Sequence, residues 1–224
     1  MSPQCRCVGE QVLLYHGLEI AGRTPPFVRE LRDAVRTGRK TQTRRPMKLQ
    51  PELTDAQAAK LRSFWANRGP RLSRQDVLAM QRWLWCDYGK IGDFRVMPEP
   101  LKRGKDGLAH YADDGALVVS LRTGEPIPWR WQRDTLSSIH MPTEAGRTVL
   151  LYMDVRAERI QEISDADARA EGIDPRFGDG HPPVVDWSFT ASGQFSDLWD
   201  EMYAERGRGR DANPWVWVLA FEVV

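Results

Sequence analysis

The final strand signal constrains this chain most: from Trp215 to Val223 large apolar residues alternate, with Trp215, Trp217, Leu219 and Phe221 on one side. An apolar strand face must be covered by a second layer, so the chain needs both a sheet and something packed on it. Thr148 to Val155 repeats the pattern through Val149, Leu151, Met153 and Val155. Helices supply the cover. Thr24-Pro25-Pro26 reads as a helix start with Phe27, Leu31, Ala34 and Val35 on one face and Gly38 as its stop. Ser164 and Asp167 form a capping box for a short helix that Gly172 ends after Glu171. Phe195, Leu198, Trp199, Met202 and Tyr203 line one side of an amphipathic helix stopped by Gly207.

Between these elements the signals are shorter. Val12 to Ile20 reads as a first strand interrupted by His16 and Gly17. Thr54 with Gln57 and Ser73 with Asp76 are capping boxes on either side of the breaker Gly69-Pro70, which predicts two short helices between Leu49 and Trp85. Ile91 to Met97 reads as a strand, and Asp113-Asp114-Gly115 as the turn of a hairpin joining Ala109–Tyr111 to Leu117–Leu121. Glu125 to Pro142 and Phe177 to Ser192 read as loop. An α+β class is expected from this mixture of strands and helices.

A length of 224 residues suits one decorated domain over 1–224. No run approaches the roughly eighteen apolar residues of a membrane span, and the N-terminus lacks the pattern of a secretion signal, so a cytoplasmic protein is expected. Cys5, Cys7 and Cys86 are too few and too scattered for a disulfide framework or a zinc site. Neither a metal nor a cofactor is expected.

Charge is unevenly placed. The chain carries a formal +1, yet eight basic residues lie between Arg29 and Lys48 against Glu30 and Asp33 alone. Residues 150–201 hold twelve acidic side chains and four arginines. A protein that coats duplex DNA gains from phosphate neutralisation and loses by such an acidic half. The pattern favours a compact pocket for a nucleoside, nucleotide or single-stranded segment. Twenty-six arginines against six lysines, with nine tryptophans, suit flat anionic ligands, although core packing accounts for tryptophans equally well.

Gly38-Arg39-Lys40-Thr41-Gln42-Thr43-Arg44-Arg45, placed after a helix stop, resembles the signature of ASCH domains, small β-barrels of the PUA-like group. Tyr88-Gly89-Lys90-Ile91-Gly92-Asp93, Ser138-Ile139-His140-Met141-Pro142, the Asp165 to Ile173 helix and Asp211-Ala212-Asn213-Pro214-Trp215-Val216-Trp217-Val218 are similar to the larger phage-encoded members. The resemblance implies a PUA-like mixed β-barrel with flanking helices, interrupted by insertions at about 49–86 (helical) and 98–142 (hairpin and loop). It also implies nucleoside or nucleic-acid chemistry. In the catalytic branch an amidohydrolase removes the acetyl group of N4-acetylcytidine, and the positions matching its lysine, threonine and glutamate are Lys40, Thr43 and Glu171. That branch consists of much smaller proteins.

The chemistry is coherent without the family. Amide hydrolysis needs a nucleophile, a base and an acid for the leaving amine, and threonine, lysine and glutamate fill those roles. Arg39, Arg44 and Arg45 would lower the pKa of Lys40 by like-charge repulsion, and a carboxylate at a helix C-terminus, as at Glu171, would have its pKa raised. On a regular strand Lys40 and Thr43 face opposite ways, so Lys40 is expected in the turn after Gly38, with Thr41, Thr43 and Arg45 on one strand face and Gln42 and Arg44 on the other. Arg39, Thr41, Arg44, Arg45, His140 and Asn213 are candidate binding residues; Asn213-Pro214 reads first as a turn. Three functions stay open on the residues: hydrolase, non-catalytic reader of RNA or modified DNA, and ribonuclease.

Overall fold

The structure, a computed structural model, describes residues 14–51, 53–65, 86–173 and 190–224. They form two compact units, the first from 14–26 and 94–149, the second from the described parts of 27–93 and 150–224. The segment expected as a hairpin insertion lies in the first unit and the expected helical insertion in the second; the Ser73/Asp76 cap falls outside the described residues.

In the first unit β1 (Leu14–Tyr15) and β2 (Leu18–Arg23) pair antiparallel. The expected single strand is thus a hairpin. His16 at φ 47° and Gly17 at φ 82° are both left-handed, the requirement of a tight two-residue turn whose twist matches its strands. β2 runs parallel to β4 (Phe94–Val96). Thr24, expected to open a helix, instead prolongs this pairing, its N–H donating to Val96 O at 2.8 Å. β5 (Leu101–Arg103) pairs antiparallel with both β6 (Ala109–Tyr111) and β7 (Thr135–Leu136). The expected hairpin around Gly115 is realised as one isolated bridge, His110 to Leu117, rather than a continuous ladder, and Val119 of its second arm bridges onward to Pro126. Val96, Leu101, Tyr111, Val118, Ile127 and Met141 form the core of this unit.

The second unit begins with α1 (Arg29–Arg36), five residues later than the Thr24 start expected from sequence, because Pro25 and Pro26 hold the preceding chain extended. Gly38, at φ 72°, ends it. β3 (Gln42–Pro46) and β8 (Val149–Arg159) flank β9 (Trp215–Val223), both antiparallel to it. β9 is therefore central, and Trp215 to Leu219 are buried on both faces, whereas sequence alternation alone implied one. Val216 and Val218 pack with Ile160, Ala168 of α3 (Asp165–Ala170), and Phe195 and Trp199 of α4 (Ala191–Tyr203). α2 (Asp55–Trp65) carries the expected capping box, with Thr54 N–H on Gln57 Oε1 and Gln57 N–H on Thr54 Oγ1. The strand expected from Ile91 begins only at Phe94, since Gly92 at φ 86° sits in a turn. The class is α+β with mixed strand pairing, as expected; among the described residues no strand pairing closes a sheet into a barrel.

Candidate functional site

Two chain reversals build the site in the second unit. After Gly38 the backbone folds under α1, so that Lys40 N–H donates to Ala34 O at 2.9 Å and Lys40 forms a bridge with Glu171. Thr41 N–H reaches Ala170 O at 2.8 Å, which ties the segment to the C-terminus of α3. Ser164 Oγ accepts the Asp167 N–H at the other end of α3, and Glu171 is its C-cap. Gly172 follows at φ 92°; a Cβ there would lie 3.1 Å from Lys40 Cβ and 3.3 Å from Ala34 Cβ. Both the backbone angle and the close approach call for glycine.

These reversals bring Lys40 and Glu171 face to face. Lys40 Nζ donates to Glu171 Oε2 at 2.8 Å and to the Glu171 carbonyl at 2.7 Å. Arg44 Nη1 donates to the other carboxylate oxygen at 3.2 Å. The Lys40, Glu171 and Arg44 side chains are 1, 5 and 0% exposed. Beyond them the network continues: Arg44 Nη2 reaches Glu158 at 2.9 Å, Arg156 holds Glu158 and Asp154, and Gln42 donates to Asp167. Glu158 and Arg156 carry no local sequence signal of a site, and Asp167 reads from sequence only as a helix cap. What marks the first two is spacing, for Asp154, Arg156 and Glu158 alternate with the buried Val155 and Ala157 along β8, placing three charges on one strand face.

The pKa of Lys40 is lowered, as expected, but for a different leading reason. Burial does most of it; the Glu171 carboxylate opposes the shift, and Arg45 and Arg44 add smaller repulsions. Arg39 is exposed and takes no part. Lys40 Nζ also lies 5.4 Å from the Phe27 ring, with the Arg45 guanidinium 5.6 Å from that ring. Arg45 donates to the Tyr203 hydroxyl at 3.2 Å and adjoins Tyr88, whose pKa burial pushes up.

The other candidates disperse. Thr43 is buried on the strand face opposite Gln42 and Arg44, and among the described residues its hydroxyl makes no hydrogen bond. Thr41 is exposed, and its carbonyl accepts Phe221 N–H. His140 belongs to the first unit and is exposed at the end of a 3-10 turn (Ser138–His140). Asn213 makes a turn at φ 45°, its carbonyl accepting from Arg159 and its Oδ1 from Gln161 N–H.

No family model matches the sequence, and no curated protein does. Two solved structures are similar to most of the chain. One is an ASCH domain. It comes from Lactobacillus crispatus, with 11% identity and a TM-score of 0.34 over 90% of this chain and 79% of that one. The other, from Enterococcus faecalis and described by the family model DUF984, has 13% identity and a TM-score of 0.40 over 93% and 84%. No described helix is long and apolar enough to cross a membrane, and the described residues contain no cluster of metal-ligating side chains.

Chemically, the arrangement pairs a proton donor and acceptor away from water. Arg44 also bonds the Glu171 carboxylate, so Glu171 has a cationic partner besides Lys40. A lone buried Lys–Glu pair would lack that support.

Proposed function

We propose that the chain is a hydrolase of a modified nucleoside or nucleobase, removing the acyl group of an N4-acylated cytidine. The buried contact between Lys40 and Glu171 at 2.8 Å carries this reading, because it supplies a lysine with a lowered pKa and a carboxylate to exchange its proton. The Thr43 hydroxyl, or a water beside it, attacks the amide carbon while neutral Lys40 takes the proton and passes it to Glu171 across their 2.8 Å contact. Glu171 returns a proton to the departing N4 amine as the C–N bond breaks. If Thr43 itself attacks, water then hydrolyses the threonyl ester, giving acetate and cytidine from N4-acetylcytidine. Because the pair is almost wholly covered, substrate entry requires side chains around it to move. Incubation with N4-acetylcytidine should release acetate, with a loss of at least 10²-fold in Lys40→Arg and in Thr43→Val. Undiminished turnover in Lys40→Arg would remove the lysine from the mechanism.

A second reading, a reader domain without turnover, is favoured by one observation: Arg45 lies beside the partly exposed Tyr88 and Tyr203, a set suited to phosphate contact and base stacking. It requires oligonucleotide binding that weakens steeply with salt and no released acetate.

A further inference from the structure

A second group of residues in the second unit surrounds a cavity of about 460 Å³ at the entry to β9, lined among others by Leu53, Ala58, Arg62, Arg159, Glu162 and Trp215. Trp215 is 1% exposed and its backbone is fixed by Gln50, which accepts its N–H at 2.7 Å and donates to its carbonyl at 3.1 Å. Two guanidinium groups stand by its ring, Arg159 Cζ at 4.5 Å and Arg62 Cζ at 5.4 Å from the centroid. Nothing in the hydrolase reading uses them.

The hydrogen-bond inventory of this cavity is unbalanced. Glu162, its one carboxylate, has both oxygens occupied: Oε1 by Arg62 Nη1 at 3.0 Å and Oε2 by the Arg159 N–H at 2.9 Å. The Asn213 carbonyl takes Arg159 Nη1 at 2.8 Å, and the Asn213 side-chain oxygen takes the Gln161 N–H. Donors are left over. Among the described residues Nε and Nη2 of both arginines make no hydrogen bond, and the buried Trp215 Nε1 has no partner. A buried donor without an acceptor is costly and rare in a native structure. With two arginines against one glutamate the lining is net positive, and its volume lies in the range of small-molecule pockets.

We propose that this cavity binds a phosphate group carried by a nucleoside or by a nucleic-acid strand. Two guanidinium edges facing one cavity match an anion with more acceptor oxygens than a carboxylate has, and a phosphate supplies them. The volume exceeds that of inorganic phosphate and leaves room for an attached nucleoside. The site is separate from Lys40 and Glu171 and stands whether or not that pair is catalytic.

Calorimetric titration of the full chain at low salt with inorganic phosphate, AMP and a short single-stranded RNA tests the proposal. Saturable binding of AMP or of the RNA, weakened about tenfold in both Arg62→Gln and Arg159→Gln but unaltered in Arg103→Gln, an exposed arginine of the first unit, is the expected result. Arg62 is the safer variant, because its pair with Glu162 is 46 and 38% exposed and its loss leaves the melting temperature within a few degrees. AMP binding as tightly as RNA identifies a free nucleotide as the ligand; a clear preference for RNA identifies a strand phosphate. Absence of binding by all three probes, or binding that survives both arginine substitutions, overturns the proposal.

Discussion

Each unit buries a glutamate, and the two are held by different cations. Glu99, fully buried in the first unit, receives a fork from Arg147, with Nε on Oε1 at 3.0 Å and Nη2 on Oε2 at 2.8 Å. Arg147 in turn reaches Asp114 at 2.7 Å and lies 4.0 Å over the Tyr111 ring. Partial burial works against its charge, yet the bonds to Glu99 and Asp114 outweigh it and raise its pKa further. That glutamate is clamped. Glu171 in the second unit divides its oxygens between Arg44 and Lys40, and the lysine's pKa moves the other way. A buried carboxylate forked by an arginine is a fixed structural joint; one shared with a desolvated lysine can pass a proton.

The largest effect expected from this contrast is in stability. Glu171→Ala leaves Lys40 and part of Arg44 buried without their counter-charge, and should cost about 3–5 kcal/mol in urea unfolding. Glu99→Ala should cost less, about 1.5–3 kcal/mol, because Arg147 is 26% exposed and keeps Asp114. The reverse order would break the comparison.

A smaller and more selective effect concerns pH. The folded value of Lys40 lies below its unfolded value of 10.5, so the folded protein binds that proton more weakly. Its contribution is complete above 10.5 and is lost as pH falls toward the lowered value. Wild-type stability minus that of Lys40→Met should therefore rise with pH across that window, with a slope of up to about 1.4 kcal/mol per pH unit. Arg147→Lys sharpens the same point from the other unit. It replaces a fork by a single ammonium and should cost about 1 kcal/mol.

The smallest expected effect lies at His110 in the first unit. Its Nδ1 meets the Gly115 carbonyl at 2.8 Å and its Nε2 meets Asp106 at 3.0 Å; these bonds raise its pKa above 6.5. Protonated His110 thus stabilises the turn below pH 6.5, and that contribution is lost as pH rises through its folded value. Exchange protection of the Val118 amide, bonded to Ala109 O, should fall slightly over that range.

Local signals in the sequence were the legible ones. The Thr54 and Ser164 caps, the Gly38 and Gly172 stops and the β9 alternation each depend on residues close in the chain, and each element is present. The turn at Gly38 also explained how Lys40 escapes the strand alternation that separates it from Thr43. What sequence could not report was the company those residues keep. Nothing local in Arg44 says that Glu158 and Glu171 share it, since those partners are 114 and 127 positions away. The leading cause of the Lys40 shift was misassigned for the same reason, because burial is a property of packing whereas neighbouring arginines are visible in the string. Similarly, Asn213 was legible as a turn, but the cavity beside it depends on α2 reaching β9.

Titration of Lys40 is the most direct test of whether the Lys40–Glu171 pair can exchange a proton. With lysine labelled at Cε and Nζ, and the signal assigned by its disappearance in Lys40→Arg, the account expects a midpoint below 10.5 and below those of the exposed lysines. A midpoint at or above 10.5 would mean that Glu171 holds the ammonium as firmly as Arg147 is held by Glu99, and would contradict it.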